Sequence, residues 1–479
     1  MTFVKLLPAV SALALAACAV GPNYAPPLPA AGADAPLLTA GAPVNDAQAP
    51  DQWWKLYDDP VLNGLVADAL AANTDIRVAV ARLDRARASL RLARSDLLPQ
   101  TTVSASTTYG RSPSGQRLPG AKREDWTVDA GLDVAYELDL SGRVRREIEA
   151  AHGDVAAAAA DADAVRVSIV AETTRSYVEA ASAAERIKVA RSIVELLDHS
   201  TGITQKRFEA GRAEKLDVSR LATLADQRRA EIPPLVAERE AALYRLAVLT
   251  GRTPGTLPAA ATARDTTPEI SRLIPVGDGG MLLARRPDVR AAERRLAADT
   301  ARIGIATADL YPRITLGGSV GQTSSGFSDL FGGGPLRWLL GPLISWNFPN
   351  QSAARAHIAE AKADRSGSLA AFDGTVLRAL QETDTALSAY GQLLNRRQAL
   401  ATAQGHAATA ARIIHARQRE GQVDFLTLLD AERTNAEAQA DLAESNFAVA
   451  SAQVDLFRAL GGGWQDQASY PTGSASAER

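Results

Sequence analysis

The chain has 479 residues, enough for two or three ordinary domains or for one large elongated domain. Its 52 basic and 55 acidic residues give a formal net charge of -3, so no basic excess points to a nucleic-acid partner. Aromatic residues make up only 5% of the chain. Together with abundant Ala, Arg, Glu and Leu, this favours long, closely packed helices over one thick globular core.

The N-terminus has the pattern of a secretory signal peptide over residues 1–17. Lys5 precedes an apolar run from Leu6 to Ala17, and small residues lead to Cys18, the only cysteine. Residues 18–59, rich in Ala, Pro and Gly, are predicted to form an extended N-terminal segment. No run of about 18 apolar residues follows Cys18, so any membrane crossing would need strands that close into a barrel.

The segment Leu15-Ala16-Ala17-Cys18 resembles a bacterial lipobox. The resemblance implies cleavage before Cys18, an S-diacylglycerol on its thiol, and an N-acyl chain such as palmitate on the new amino terminus. An ordinary signal peptide with an incidental cysteine is the alternative. Two or more acyl chains hold a protein stably at a membrane, whereas one chain holds it only marginally.

Residues 60–255 are predicted to form helices around two strands. In chain order the predicted elements are a helix near Pro60, a helix from Asn73 to Leu98, a strand at about 101–110, a polar turn at 111–125, a strand at about 126–139, and helices from Ser141 to Ala210 and from Lys215 to Thr250. At about 1.5 Å per residue, the helix ending at Ala210 would extend on the order of 100 Å, which indicates a coiled-coil assembly. Gly211 interrupts it, and a kink is expected at Pro233-Pro234.

The second predicted strand, from Trp126 to Leu140, alternates apolar and polar residues along its whole length. Aromatic residues stand near both ends of its apolar face, and the other face carries Asp129, Asp133 and Glu137. A barrel strand between lipid and water has this pattern, and a long strand of a soluble sandwich is the alternative. The three acids would face the barrel lumen. There they either give the inner surface of the barrel a negative charge or only keep that surface hydrated.

The chain then repeats itself with an offset of 210 to 213 residues. The matched residues are Asp75 and Asp288, Arg82 and Arg295, Pro99 and Pro312, Glu172 and Glu382, Gly211 and Gly421, Leu216 and Leu426, and Arg245 and Arg458. A linker at 256–272 would join the two repeats. The second repeat, 273–464, is predicted to carry strands at about 313–322 and 337–348, with a bulge or local edge at Pro342. Residues 465–479 are predicted to be a flexible tail.

Four strands are too few to close a membrane barrel, since about eight is the smallest number. Unpaired strand edges are not tolerated in lipid. The strands of two, three or four chains must therefore be shared in one barrel.

Several stretches resemble the outer membrane factor family of TolC-like export ducts, and most closely its OprM/NodT lipoprotein branch. They are residues 18–26, Trp53-Trp-Lys-Leu-Tyr-Asp-Asp-Pro60, Arg285-Arg-Pro-Asp-Val-Arg-Ala-Ala-Glu293, residues 421–432 and Leu460-Gly-Gly-Gly-Trp464. The resemblance implies an α+β membrane protein, with a twelve-stranded barrel shared by three chains and a long helical periplasmic tunnel. It also implies the outer-membrane exit of a tripartite efflux pump. The implied partners are a periplasmic adaptor and an inner-membrane transporter of the RND, MFS or ABC type.

In that family, a Leu and an Asp after the second-half glycine line a closed periplasmic aperture, and by position these are Leu426 and Asp430. Three copies of Leu426 would narrow and dewet the pore, and three copies of Asp430 would form an acidic ring. Packing of Leu426 in a helix seam, with Asp430 as a solvated surface acid, is the alternative. Asp217 matches an aspartate that helps hold the aperture helices together, and the repeat offset sets Arg220 opposite Asp430 as a possible latch. Relatives often have a tyrosine where Gln418 stands, so the latch can differ in detail.

No G-x-S-x-G, Walker or Rossmann motif stands in a context that would indicate an enzyme. The glycines at Gly332-Gly-Gly334 are not followed by the Lys-Ser/Thr of a phosphate-binding loop. The five histidines show no metal-ligand spacing; they are His152, His199, His357, His406 and His415. After processing, Met281 would be the only methionine, so a Met-lined metal site is not expected. Two alternatives stay open, namely the outer-membrane duct of a type I protein secretion system and a non-pore coiled-coil lipoprotein scaffold.

Overall fold

The computed structural model describes residues 19–28, 31–38, 41–111, 113, 123–324 and 336–463. The predicted signal peptide, Cys18 and the predicted tail lie outside these residues, as does most of the predicted turn at 111–125. The described chain divides into two compact units. Of the described residues, the first unit contains those within 19–28, 82–158 and 291–372, and the second contains those within 31–81, 159–290 and 373–463.

Pairs of strands stand between groups of helices along the described residues. The strands are β1 (Val44–Asn45), β2 (Gln100–Arg111), β3 (Glu124–Leu138), β4 (Ile274–Pro275), β5 (Arg313–Ser324) and β6 (Leu336–Ser345). The helices are α1 (Pro60–Ala72), α2 (Thr74–Ser95), α3 (Arg143–Glu209), α4 (Lys215–Ala230), α5 (Ile232–Leu249), α6 (Ala259–Ala263), α7 (Gly279–Arg285), α8 (Pro287–Ala308), α9 (Ser352–Arg419) and α10 (Phe425–Ala459), with a 3-10 helix at Trp53–Tyr57.

The first unit contains a four-stranded antiparallel sheet in the order β2-β3-β5-β6. All four predicted strands are present, and none of their ends lies more than three residues from the predicted position. The register places Leu132 of β3 between Val103 of β2 and Val320 of β5. Strands β2 and β6 are the outer strands, and each is paired on one side only within the chain.

The bulge, one of the two alternatives expected at Pro342, is wrong, because the pairing of β6 with β5 runs through Pro342 opposite Leu316 without interruption. The other alternative, a local edge, is confirmed, since β6 is an outer strand of the sheet. An outer strand can direct the missing donor of a proline to its unpaired side, so no bulge is required. The predicted end of this strand near residue 348 is also wrong, since β6 ends at Ser345. Beyond it, the rings of Trp346 and Phe348 stack with centroids 4.6 Å apart.

The two longest helices, α3 with 67 residues and α9 with 68, confirm the expectation of helices far beyond globular length. The predicted single kinked helix from Lys215 to Thr250 is instead two helices, α4 and α5, with Glu231 between them. Pro233 and Pro234 lie in the first turn of α5, where a missing amide donor costs no helical hydrogen bond. None of the helices in the described ranges is both long and apolar enough to cross a membrane.

The residues before α1 are tied to the folded units more firmly than an extended linker would be. In the second unit, Trp53 of the 3-10 helix is buried and stacks on Phe457, with ring centroids 4.8 Å apart. In the first unit, the Val20 amide donates to the Ser141 carbonyl at 3.0 Å, and Arg146 donates to Asn23 at 2.8 Å. The prediction of an extended segment therefore missed these anchoring contacts.

Candidate functional site

Two sharp turns in the second unit connect long helices to the helices that carry the predicted aperture residues. Gly211 follows α3 and Gly421 follows α9, and each has a left-handed backbone with φ of +69°. The Gly421 amide donates to the Gln418 carbonyl at 3.1 Å, and the Gly211 amide donates to the Phe208 carbonyl at 2.9 Å. A left-handed residue after a helix favours glycine because a side chain would clash with the backbone.

Both helices that follow these turns begin with an acidic cap. At the start of α10, Asp424 accepts a hydrogen bond from the Thr427 amide at 2.8 Å. The Thr427 hydroxyl donates to the same carboxylate and lowers the pKa of Asp424. At the start of α4, the Glu214 amide donates to Asp217 at 3.3 Å as part of a capping box. Within one chain, the predicted holding residue Asp217 therefore stabilises its own helix start.

Leu426 and Asp430 lie one turn apart on α10 and are both open to solvent within one chain. The Leu426 residue is 53% exposed, and the Asp430 side chain is 68% exposed. Asp430 forms an ion pair with Arg433 of the same helix at 3.0 Å. In the part of the chain described, this ion pair takes the place of the Arg220–Asp430 contact expected from the repeat, and Arg220 is exposed on α4.

Glu432 lies on the opposite, buried side of the same helical stretch and is 1% exposed. Its Oε1 accepts a hydrogen bond from the Ser200 hydroxyl of α3 at 2.8 Å and lies 3.0 Å from His415 Nε2 of α9. Its Oε2 is buried without a hydrogen-bond partner. Burial raises the pKa of Glu432, and the Ser200 and His415 contacts partly oppose that rise.

A small apolar cluster surrounds these helix starts and packs α4 and α10 against α3. Its buried members are Ile193, Leu197, Leu221, Leu224, Ala225 and Ala436, with Val189, Phe425 and Leu429 packed around them. Burial of apolar side chains contributes about 25 cal/mol per Å² of area removed from water. Apolar packing therefore holds the first turns of α4 and α10 from one side, while Leu426 and Asp430 are exposed to solvent on the other side.

The three predicted lumen acids lie on one face of β3, and two of them are neutralised by arginine. Asp129 forms an ion pair with Arg337 of β6 at 2.6 Å and accepts a hydrogen bond from the Thr323 hydroxyl of β5 at 2.7 Å. Glu137 forms an ion pair with Arg143 at 2.9 Å. Asp133 accepts only a weak hydrogen bond from the Ser104 hydroxyl at 3.4 Å. This face is therefore less negative than its acids alone suggest.

Three features of these sites escaped the sequence reasoning. The Asp430–Arg433 pair has the three-residue spacing of helical ion pairs, so the sequence held a signal for it. The contacts of Glu432 with Ser200 and of Asp129 with Arg337 join residues 232 and 208 positions apart, for which no local pattern exists. Among the described residues, no group of three or more His, Cys, Asp or Glu side chains is placed to hold a metal ion.

The chain is similar to known proteins over nearly its whole length. The sequence profile of the outer membrane efflux protein family matches residues 65–252 and 280–462. Outer membrane protein OprJ of Pseudomonas aeruginosa is 31% identical over 459 residues, which cover 95% of both chains. The toluene efflux pump outer membrane protein TtgC of Pseudomonas putida is 31% identical over 487 residues, covering 100% of this chain and 99% of TtgC.

Among solved structures, the outer-membrane channel OprN is 39% identical and superposes with a TM-score of 0.86. The match covers 93% of this chain and 100% of OprN. The repeats, the long helices and the four-stranded sheet are thus those of an outer-membrane channel, and the chain belongs to the outer membrane efflux protein family.

Proposed function

We propose that three copies of this chain form the exit duct of a tripartite efflux pump, in which three sheets make one twelve-stranded barrel. The observation that carries the proposal is the four-stranded sheet with two open outer strands. An open strand edge offers a row of unpaired amides and carbonyls to another copy of the chain. In lipid these groups must be paired, so β2 of one copy would pair with β6 of the next.

The side chains of the outer strands support the same arrangement. Every residue of β2 is exposed within the single chain. Large apolar side chains are exposed along β6, namely Leu336, Trp338, Leu339, Leu340, Leu343 and Ile344. Lipid and neighbouring copies would cover these side chains, whereas a soluble scaffold protein would leave them in water.

The start of α10 is proposed as the periplasmic gate of this duct. Three exposed Leu426 side chains would form an apolar constriction, and three Asp430 carboxylates would form a ring around it. Arg433 moderates the charge of that ring through its ion pair with Asp430. Asp217 and Arg220 would lie beside this gate, at the start of α4. A latch would then be an ion pair between Arg220 of one chain and Asp430 of the next.

Export through the duct requires a periplasmic adaptor and an inner-membrane transporter of the RND, MFS or ABC type. The names of TtgC and of the family support small-molecule efflux over type I protein secretion. A lipid on Cys18 is part of the proposal, because Leu15-Ala16-Ala17-Cys18 resembles a bacterial lipobox. Metabolic labelling with palmitate, with Cys18→Ser as the unlabelled control, tests the lipid.

Single-channel conductance of the full-length protein in a planar bilayer tests the gate. Wild-type protein is expected to give small, cation-selective currents that rise on Leu426→Ala and on Asp430→Ala. The matched control is Asp441→Ala, which removes an exposed acid farther along the same helix and is expected to leave the currents unchanged. Complete absence of conductance from folded protein would contradict the duct.

The latch and the cargo need separate tests. A double substitution of Arg220 and Asp430 by alanine that leaves conductance at the wild-type level would refute both the latch and the acidic ring.

A deletion strain that keeps its drug tolerance but loses a secreted protein would favour type I secretion over small-molecule efflux.

A further inference from the structure

Glu432 connects three helices of the second unit at the level of the proposed gate. It lies on α10 between Asp430 and Arg433, but its side chain points inward to α3 and α9. One carboxylate oxygen, Oε1, accepts a hydrogen bond from the Ser200 hydroxyl and lies 3.0 Å from His415 Nε2, and the other, Oε2, is buried without a partner. A buried carboxylate with one bare oxygen is unfavourable unless a proton resides on the carboxylate or on its histidine partner.

The ionisable and polar groups around Glu432 come from three neighbouring helices. On α9 the facing group is the His415 imidazole, and on α3 it is the Ser200 hydroxyl. Helix α4 contributes Leu221 and Leu224 to the adjacent apolar cluster, and its Arg228 pairs with Glu437 of α10 at 3.1 Å. The charge of His415 partly opposes the rise that burial causes in the pKa of Glu432.

The first-half turn, at Gly211, has no counterpart of the contact of Glu432 with Ser200 and His415. Its backbone is nevertheless similar, since Gly211 and Gly421 have the same φ of +69°. The repeat offset that relates Leu216 to Leu426 sets Ala222 at the position of Glu432 and Gln205 at the position of His415. Neither residue can bind or release a proton. Any proton dependence of this kind is therefore confined to the second-half turn.

We propose that Glu432 and His415 together hold one proton while the gate is closed, and that loss of this proton loosens the start of α10 from α3 and α9. This inference rests on the proposed gate, because it concerns the opening of the same aperture. Glu432 acts as a positioning residue, since it would set the place of Leu426 and Asp430 without touching what passes.

The direction of the effect follows from linkage. Burial raises the pKa of Glu432 in the closed arrangement relative to a hydrated, opened one, so the closed arrangement binds the proton more tightly. Its stabilisation is complete at low pH and is lost as pH rises through the titration of the pair. One proton per chain shifts the closed-to-open ratio by at most about tenfold per pH unit.

Conductance measured between about pH 6 and pH 8.5 tests the inference, because the reference pKa of an aspartate side chain, about 3.9, lies well below this range. Wild-type currents are expected to rise with pH. Glu432→Gln keeps a carbonyl oxygen where Oε1 faces both Ser200 and His415 and carries no carboxylate that can lose a proton, so its currents should stay low and nearly independent of pH. Glu432→Ala removes the contact and should give raised currents at every pH. His406→Gln, an exposed histidine of the same helix, should keep the wild-type pH profile.

The outcomes separate this inference from the proposed function. If Leu426→Ala opens the duct but Glu432→Gln keeps the wild-type pH profile, the gate stands and the proton contact is refuted. Hydrogen exchange at residues 421–432 provides a second readout that does not need conduction. Exchange that is equally pH-dependent in wild type and Glu432→Gln, after correction for the intrinsic rate, would also refute it.

Discussion

The two helix-to-helix turns of the second unit have nearly the same backbone and different side-chain chemistry. Gly211 and Gly421 share a φ of +69°, and each turn is followed by a helix with an acidic cap. The first-half turn packs α4 through apolar residues such as Leu221. The second-half turn adds a buried acid, Glu432, and an exposed ion pair at Asp430. The two turns thus share a backbone conformation and differ in their side chains, and only the second-half turn has the residues proposed to form a gate.

The helices that follow the two turns differ in length and continuity. Helix α4 ends at Ala230 after 16 residues, where the prolines of α5 start a new helix. Helix α10 continues for 35 residues without such a break. A continuous helix transmits a movement at its start along its whole length more directly than an interrupted one. The second-half helix is therefore the better candidate for the moving part.

The largest expected effect on stability concerns the apolar support of the first-half turn. Leu221 is 0% exposed, so Leu221→Ala should destabilise the protein by about 2–5 kcal/mol through lost burial and a residual cavity. Thermal unfolding of the detergent-solubilised protein, followed by circular dichroism, measures the change. The control is Leu216→Ala, because Leu216 is 52% exposed and should tolerate truncation. Equal losses for both variants would show that Leu221 has no special role in packing.

A smaller effect is expected at the two glycines, and it should be equal at both. Alanine in a left-handed conformation costs roughly 1–2 kcal/mol, so Gly211→Ala and Gly421→Ala should lower stability by similar amounts. The same unfolding experiment compares them directly. A clear loss at only one glycine would contradict the view that the two turns have equivalent backbones.

The smallest expected effect concerns the exposed ion pair at the gate. Exposed pairs contribute about 0–1 kcal/mol, so Arg433→Gln should barely change stability. It should nevertheless leave the Asp430 ring more negative and increase the cation preference of the currents. Reversal potentials in a salt gradient measure that preference, with Arg433→Lys as the charge-preserving control. An unchanged reversal potential for Arg433→Gln would place Asp430 away from the conducting path.

Local patterns in the sequence were sufficient for the strands and the repeat. The alternation from Trp126 onward predicted β3, and the offset of Gly211 and Gly421 predicted two equivalent turns. The break before Pro233 was missed, because a proline inside a helical pattern fits a kink as well as a new helix start. The early end of β6 was missed because Trp346 and Phe348 continue its apolar alternation after the pairing stops.

The site was predicted less completely than the fold. Leu426 and Asp430 were named from the resemblance and lie exposed on one helix, and their role in an aperture stays a prediction. The contact of Glu432 with Ser200 and His415 depends on how three helices pack, so no spacing along the chain could reveal it. The pairing of Asp129 with Arg337 likewise depends on the order of strands in the sheet.

The measurement that tests the difference between the turns most directly is hydrogen exchange of the full-length protein at about pH 6 and pH 8, a range in which an imidazole changes its charge. The account predicts that residues 421–432 lose protection at the higher pH, after correction for the intrinsic exchange rate. Residues 211–222, which have no titratable counterpart of the Glu432–His415 pair, should keep theirs. Equal changes at both turns, or a change confined to the first, would contradict the assignment of the moving gate to the second-half turn.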